Sequence, residues 1–552
     1  KSFVLINPHL TIIEMKNSLK NILTISASIL FFTACDVERL PETNISDATF
    51  WRSESDLKTA NNYLYTFLPD FNTEDNWSDD AFGLASNNIS DGSRLAPATA
   101  TADFNNQYLL IRAANNILEK GPKTGLAAAT LDRYLAEARF FRAWAYFNLL
   151  QRYGGVPLIT KTLDDGSPEL KAGSATRDDV LNLIYADLDF ASTKLPTATA
   201  LGTADYGRIA RTAALAFKGR VALFEGTRAK FHKYGDAKKH LTLAYTAAKA
   251  VMDSKEHDLY TGPYFNLFQY EGEGRANKEN VLVKQYGVSL TDRVTSHTYC
   301  RSTLENGNKS PTKALVDSYL MVDGLPMDKS PLYKAPVLST DVFVNRDTRL
   351  SDDVLKKGDS YIFTNPVYNV ASLVFAKTGF TFRKYWNIVD WNNQASFIDR
   401  NLIRYAEVLL IYAEAKFELD DAISDADLNL TINRLRKRGG VAALTNDFAK
   451  VNGLMVRDEI RRERRVELAQ EGFRYWDLIR WKTAEIELPK PILGNYFFKE
   501  FGTTVKVNLT KDNFIITQDA SFRKFDPNRD YLWPLPINEI ALNPSMKQNP
   551  GW

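Results

Sequence analysis

The chain contains only two cysteines, and it lacks an apolar run long enough to cross a bilayer. With Cys35 and Cys300 as its whole complement, stability must come from packing and not from the several disulfides that hold small secreted domains together. A transmembrane helix needs about 20 consecutive apolar residues, and no segment supplies them. The sequence therefore excludes a disulfide-rich scaffold and a helical membrane protein.

A strong surplus of charge is also lacking, since the formal net charge is +2 over 552 residues. Binding to nucleic acid depends on many unpaired Lys and Arg side chains, so this balance argues against a nucleic-acid partner. The most basic stretch, RDEIRRERRVEL at 457–468, contains its own carboxylates. Asp458 and Glu459 stand four and three residues before Arg462, close enough on a helix to form ion pairs. We interpret this stretch as a salt-bridged structural helix.

The motifs of common catalytic sites are absent as well. There is no HExxH, GxSxG or CxxC motif and no phosphate-binding loop, and the five histidines do not have metal-ligand spacing. Adjacent aspartates occur at 79–80, 164–165 and 352–353, but sequence neighbours do not face each other across a glycosidic bond as the carboxylates of a glycosidase do. We interpret these pairs as solvated turn residues. We expect no enzyme activity, no metal and no cofactor.

The sequence does contain a segment that we interpret as an export signal. Lys16 and Lys20 precede the apolar run 22–34, which ends at Cys35. A positive start, a short apolar core and small residues before a cleavage point are typical of a secretory signal peptide. We predict that residues 1–34 are removed, with 1–14 lying upstream of a start methionine at position 15.

The position of Cys35 directly after this signal favours lipidation. Each buried methylene of an acyl chain contributes about 0.8 kcal/mol, so palmitate and further chains on Cys35 would hold the protein on a membrane. The alternative is an ordinary signal peptide with a cysteine near its cleavage site. Phe32 is bulkier than the Leu usual at that place of a bacterial lipoprotein signal.

Helical periodicity dominates residues 35–254. In 131–152 apolar residues recur at intervals of three and four, so they line one face of a predicted helix. This helix is expected to end at Gly154. Thr176 and Asp179 match a capping box at the start of the next helix. Beyond these two helices, the same reasoning predicts helices at 208–231, 236–252, 401–419, 425–438 and 453–481.

Residues 255–400 have a different character, because glycines, prolines and aromatics are mixed with short alternating runs. The runs at 281–286 and 378–385 predict short strands, and the tail after Leu488 is expected to be irregular. We therefore predict a mainly α protein of antiparallel helix pairs, with a loop-rich insertion that builds a binding surface. The predicted divisions are 1–34, 35–254 and 255–552.

Aromatic residues make up 12% of the chain. A sugar ring can lie on the face of Trp, Tyr or Phe while Asn, Asp or Arg hydrogen-bonds its hydroxyls. Loop segments that hold both kinds of residue therefore predict ligand contacts, although core packing explains any single aromatic about as well. The candidate ligand-binding residues are Trp77, Asp80, Phe104, Asn106, Tyr286, Tyr299, Arg301, Trp386 and Trp391.

Several segments, in their order along the chain, closely resemble landmarks of the SusD/RagB family of outer-membrane lipoproteins. The longest are YLAEARFFRAWAYFNLLQRYGGVPLIT at 134–160, RRERRVELAQEGFRYWDLIRW at 461–481 and YLWPLPINEIALNPSMKQNPGW at 531–552. Shorter ones lie at 110–119, 187–196, 314–324, 345–350 and 403–415.

This resemblance implies tetratricopeptide-like helix pairs that form a right-handed superhelix, with a loop-rich region carrying short β-strands. It also implies a non-catalytic receptor on the cell surface, anchored in the outer membrane through acylated Cys35. Such receptors capture nutrient oligomers, most often glycans, and pair with a SusC-like TonB-dependent barrel transporter. Starch-binding relatives carry a tryptophan before the helix that begins near 110. Here Phe104, Asn105 and Asn106 stand at that place, which argues against starch.

Two alternatives to a glycan receptor stay open. Some members of the resembling family capture peptides, and a near-neutral chain suits either ligand. A surface glycoside hydrolase is the second alternative, because many aspartates lie in predicted loops.

Overall fold

Helices provide most of the regular structure. The computed structural model describes residues 50–287, 296–502 and 505–552, and Ser53–Trp552 form one compact unit. The predicted export signal and Cys35 lie outside the described residues. Within the described ranges, no helix is both long and apolar enough to traverse a bilayer.

The N-terminal half is built mainly from helices. They are α1 (Glu54–Tyr65), α2 (Ala102–Lys120), α3 (Ala128–Tyr153), α4 (Arg177–Lys194), α5 (Arg211–His232) and α6 (Ala237–Ser254). Helix α3 packs against both α2 and α4, and α5 packs against α6. The helices predicted here are confirmed, as is their pairing.

The ends of these helices follow from their sequences. Helix α3 stops at Gly154, which has a φ of 75° and whose N–H bonds to the carbonyl of Leu150 at 3.0 Å. At the start of α4, the hydroxyl of Thr176 accepts a hydrogen bond from the backbone N–H of Asp179, and the Asp179 carboxylate bonds back to the N–H of Thr176. This capping box satisfies two backbone donors that would otherwise lack partners.

The C-terminal half contains shorter helices. They are α7 (Lys313–Ser318), α8 (Arg349–Asp353), α9 (Ile388–Asn393), α10 (Tyr405–Asp420), α11 (Asp425–Leu430), α12 (Ile432–Arg438), α13 (Asn446–Val451), α14 (Val456–Glu467), α15 (Arg474–Arg480), α16 (Ala484–Glu487) and α17 (Ile537–Leu542).

Three of the predicted C-terminal helices were wrong in extent. The helix expected at 425–438 is interrupted at Thr431, whose φ and ψ of −127° and −87° are not helical. The one expected at 453–481 divides into α14 and α15, because Gln470 and Gly472 both adopt a positive φ. The one expected at 401–419 begins only at Tyr405, since the preceding residues pair as a strand.

The strands are short, and all their pairings are antiparallel. They are β1 (Ala81–Phe82), β2 (Asn280–Lys284), β3 (Ser310–Pro311), β4 (Ser360–Ile362), β5 (Asn365–Val367), β6 (Arg400–Arg404), β7 (Ile492–Tyr496), β8 (Asn508–Leu509) and β9 (Phe514–Gln518).

Strand β2 confirms the prediction at 281–286; it pairs with β6, where Leu282 lies opposite Ile403. The strand predicted at 378–385 was wrong. Gly379 has a φ of 74°, and within that segment only Phe382 forms a bridge, to Val354. The tail after Leu488 is more regular than predicted, because β7, β9 and β8 form a sheet there.

Helix α10 lies at the centre of the structure. It follows β6 directly and packs against α5, α6 and α14, so almost every one of its side chains is buried. Helix α14 holds the basic stretch, and its charges face inward: Arg464 pairs with Asp477 at 2.9 Å and Glu463 with Arg349 at 2.6 Å. The prediction of a salt-bridged structural helix is confirmed.

Candidate functional site

A cavity of about 490 Å³ opens where the helical half meets the C-terminal elements. Its walls come from segments far apart in the chain: the loop 66–74, the first turns of α2, the C-terminal half of α3, and parts of α5, β6, α10, α14 and α15. A volume of this size falls within the range of small-molecule sites. We refer to it as the central cavity.

Aromatic rings form one side of the central cavity. The rings of Trp144 and Phe217 are stacked with centroids 4.7 Å apart, and Phe147 meets Phe217 edge-on at 5.6 Å. Trp476 and Phe224 complete this side, with centroids 6.4 Å apart. Because α3 and α5 present these rings from buried faces, the rings are held rigidly.

Ion pairs fix the wall between α5 and α10. The guanidinium of Arg220 donates to both oxygens of Glu407, at 2.7 and 2.6 Å, and also to the carbonyl of Leu402 at 2.6 Å. Arg480 makes a similar two-point contact with Glu414, at 2.5 and 2.7 Å. Such bidentate pairs fix the geometry of the elements that they join.

Four amide side chains on the cavity wall are available to a ligand. They are Asn106, Gln107, Gln151 and Asn401, and none of these side chains makes a hydrogen bond to another group in the described part of the chain. An amide offers both a donor and an acceptor, as a sugar hydroxyl does. Free amides beside aromatic rings can therefore bind a polar ring compound without supplying a charge.

Two acidic side chains of the wall have pKa values shifted in opposite directions. Burial raises the pKa of Glu74 above its ordinary value, despite the nearby charge of Arg152. Burial also acts to raise the pKa of Asp70, but hydrogen bonds from Lys284 and Tyr286 outweigh it, so the pKa lies below the ordinary value. The negative charge of Asp70 is thus better stabilised than that of Glu74 at neutral pH.

The structure places one predicted site residue, Asn106, directly on the central cavity. Tyr286 lies behind the wall, and its hydroxyl donates to Asp70 at 2.8 Å. Trp77 lies behind another part of the cavity wall, where its ring centroid is 6.3 Å from that of the lining residue Trp476. Phe104 is buried against Tyr153, at 5.5 Å.

The other predicted site residues lie away from the cavity lining. Trp391 is held by Arg301, whose guanidinium lies 4.9 Å from its ring centroid, and Trp386 stacks on Tyr361 at 5.1 Å. Tyr299 is buried, and its hydroxyl accepts a hydrogen bond from the side chain of Gln470 at 3.0 Å. The ring faces of these residues are occupied by packing; their role in ligand contact stays a prediction.

Asp80, also a predicted site residue, is not a solvated turn residue. It and Asp79 are buried, and both pair with Arg465, at 2.5 and 2.9 Å, while Arg474 also contacts Asp79 at 2.8 Å. Asp353 is buried too, beside Lys384. The interpretation of the pairs 79–80 and 352–353 as solvated turns was wrong, because Asp79, Asp80 and Asp353 are buried beside basic side chains distant in sequence.

Sequence reasoning missed most of the cavity lining. Trp144, Asn148, Gln151 and Arg152 lie on α3, which the apolar periodicity identified only as a buried helix. The available signal was the presence of three polar residues among the apolar ones near the end of this helix. A polar side chain in a buried position needs a partner, and here the cavity provides the space for one.

The fold is that of the tetratricopeptide-like helical binding proteins, and comparisons with known proteins identify the family. A family model described as "SusD family" matches residues 279–552, and one described as "Starch-binding associating with outer membrane" matches 16–223. The chain belongs to the SusD family, and the predicted fold class, mainly helical with short strands, is confirmed.

Relatives and solved structures cover nearly the whole chain. A SusD-like protein of Formosa agariphila, named P38, is 26% identical over 97% of this chain and 99% of its own length. A SusD-like protein of Bacteroides ovatus is 25% identical over 98% of both chains. The crystal structure of a SusD-like carbohydrate binding protein from Bacteroides fragilis covers 90% of this chain and 100% of its own, with 26% identity and a TM-score of 0.75.

Proposed function

We propose that this protein is a cell-surface receptor that captures glycan oligomers in the central cavity and releases them intact. The observation that carries the proposal is the combination of rigid aromatic rings with free amides in the lining of one cavity. Aromatic faces suit the apolar C–H faces of sugar rings, and amides suit their hydroxyls. A solved SusD-family structure described as carbohydrate binding shares the fold, which supports the same role here.

The proposed receptor binds without catalysis. Its paired carboxylates at 79–80 are buried beside Arg465 and Arg474 and lie outside the lining of the central cavity, so they are not placed to protonate a leaving group there. Glycoside hydrolysis needs two carboxyl groups that flank one bond with room for substrate between them. Transfer of an unbroken oligomer therefore fits these residues better than hydrolysis.

The proposed location is the outer surface of the outer membrane, with acylated Cys35 as the anchor. The family model over 16–223 is described as associating with the outer membrane, which supports this location. The proposed partner is a SusC-like TonB-dependent barrel transporter, to which the receptor delivers its ligand. Recovery of such a barrel with the full-length receptor from native membranes would support the partnership, and recovery of the receptor alone would contradict it.

Affinity gels test the binding proposal. The purified protein is run through native gels that contain one polysaccharide each, and the same mixtures are analysed for oligosaccharide products. Retardation without shortened products supports a glycan receptor. Shortened products would identify the hydrolase alternative, and retention of peptides with no glycan retarded would identify the peptide receptor.

Replacement of Cys35 tests the anchor. Cys35→Ala should move the protein from the membrane fraction to the soluble fraction, because the acyl chains that hold it would be lost. Cys300→Ala is the matched control; its thiol is buried, and the variant should stay with membranes. An unchanged distribution of the Cys35 variant would contradict lipid anchoring at this residue.

A further inference from the structure

Two arginines on the central cavity have unused hydrogen-bonding capacity. Arg152 is 6% exposed and Arg464 is 3% exposed, and both line the cavity. Nε of Arg152 and Nη1 of Arg464 have no hydrogen-bond partner among the described residues. A buried donor without a partner costs about 1 to 3 kcal/mol, and more when it is charged. Each of these side chains therefore has donor capacity that the described part of the protein does not use.

Arg152 is held in position by aromatic rings and by long hydrogen bonds from Nη1 to the backbone carbonyl and the side-chain oxygen of Asn148, at 3.3 and 3.4 Å. Its guanidinium lies 5.8 Å from the ring centroid of Trp77, 5.1 Å from that of Trp476 and 5.0 Å from that of Trp533. Its carboxylate neighbours are less close: an oxygen of Glu74 is 3.7 Å away and one of Asp103 is 3.5 Å away. These distances exceed those of a charge-assisted hydrogen bond, so the two carboxylates attract the charge of Arg152 without taking up its hydrogen-bonding capacity.

Arg464 shares its carboxylate partner. Its Nε lies 2.9 Å from Asp477, and Nε of Arg480 lies 2.8 Å from the same side chain. One carboxylate therefore serves two guanidinium groups, although Arg480 also pairs with Glu414.

The remaining carboxylates of the wall are engaged elsewhere. Asp70 accepts from Tyr286 and Lys284, Glu407 pairs with Arg220, and Glu471 pairs with Arg404 at 2.7 Å. Asp103, in contrast, is 40% exposed, so water screens its attraction for Arg152. An anion that entered the cavity would thus meet two arginines whose partners are weak or shared.

We propose that the central cavity selects glycans that carry anionic oxygen groups, and that Arg152 and Arg464 bind these groups. This inference rests on the proposed glycan-receptor function and specifies its substrate class. A uronate carboxylate and a sulfate ester share the required chemistry, because both present several oxygens to a planar guanidinium. The aromatic rings and free amides then bind the rest of the oligomer.

Titration calorimetry with three oligosaccharides of equal length tests the inference: an oligogalacturonate, a sulfated galactan oligomer and a neutral malto-oligosaccharide. At least one anionic oligomer should bind about tenfold or more tightly than the neutral one, and high salt should reduce this preference. The anionic oligomer that binds better shows whether carboxylate or sulfate is the recognised group. Equal or tighter binding of the neutral oligomer would overturn the inference.

Variants of the cavity separate specific recognition from general charge effects. Arg152→Gln should lower the affinity for the anionic oligomer about tenfold more than the affinity for the neutral one. Asp103→Asn should raise the anionic affinity by about twofold, because it removes a competing but screened carboxylate at a half-exposed position where the fold tolerates change. The Asp103 variant keeps the test decisive if the Arg152 variant fails to fold. An unchanged preference in Asp103→Asn would overturn the inference.

Arg461→Gln is the matched control. Arg461 lies on α14 as Arg464 does, packs 4.5 Å from the Trp481 ring centroid, and has two guanidinium nitrogens without hydrogen-bond partners among the described residues. It does not line the central cavity, so its replacement should leave the anionic preference intact. Binding of neutral glycans alone would overturn the inference and leave the receptor function standing. Failure of a broad glycan panel to bind would overturn both.

Discussion

Buried arginines join distant parts of the chain. Arg404 at the end of β6 contacts Glu279 at 2.6 Å, Glu467 at 2.9 Å and Glu471 at 2.7 Å, and its side chain is almost fully buried. Three segments of the chain thereby meet at one guanidinium. Loss of this group would leave buried carboxylates without compensation.

Replacement of Arg404 should therefore be strongly destabilising. Arg404→Met is expected to lower the free energy of unfolding by about 3 to 5 kcal/mol, measured by urea denaturation. Arg434→Met is the control, because Arg434 forms a half-exposed pair with Asp258 and should cost about 1 kcal/mol or less. Equal effects of the two variants would show that the buried network does not hold these segments together.

Asp353 should give the stability a pH dependence. Burial raises the pKa of its carboxyl to about 7. The charge of Lys384 and a hydrogen bond from Tyr319 act in the opposite direction but have the smaller effect. The folded state then keeps a proton that the unfolded chain releases at about pH 4. This group's contribution to stability is consequently complete below pH 4 and is lost as the pH rises towards 7, at up to about 1.4 kcal/mol per pH unit.

Asp353→Asn removes this titration and keeps an oxygen that accepts from Tyr319, which donates to Asp353 at 2.6 Å. Relative to the wild type, the variant should gain stability as the pH rises from 4 to 8, measured by thermal unfolding at each pH. Asp164→Asn, at an exposed position, should follow the wild-type profile. Parallel profiles for wild type and Asp353→Asn would contradict the raised pKa.

Among the elements, long periodic helices were predictable and their interruptions were not. The pattern in 131–152 and the capping residues Thr176 and Asp179 located α3 and α4 from local information alone. The break at Thr431 and the positive φ of Gln470 are not encoded by a proline or a glycine at those positions. Tertiary packing decides them, so periodicity continued the helices too far.

The capping box of α4 offers a test at this scale. Thr176→Ala removes a side-chain acceptor for the N–H of Asp179 and should lower the free energy of unfolding by about 1 kcal/mol in chemical denaturation. Thr193→Ala changes an exposed residue near the other end of the same helix, where alanine is the better helix former, and should cost nothing. A loss of similar size in both variants would refute the capping assignment.

At the scale of the whole molecule, the central cavity exists only in the folded chain. Its lining extends from Thr66 to Arg480, and the residues that supply its rings and charges lie in helices that look like ordinary core from sequence. Asn106 was predictable because it stands in a segment that mixes polar and aromatic residues, although that segment belongs to α2 and is not the predicted loop. Arg152 was not, because its surroundings of Trp77, Trp476 and Trp533 come from three separate segments.

The most direct test of a glycan site in the central cavity is titration calorimetry with the oligosaccharide form of the glycan best retained in the affinity gels. The double variant Asn106→Ala, Gln151→Ala removes two free amides from the wall, and Asn105→Ala, an exposed neighbour outside the lining, is the control. We expect the double variant to bind about tenfold more weakly and the control to bind as the wild type does. Wild-type affinity in the double variant would contradict the assignment of this cavity as the glycan site.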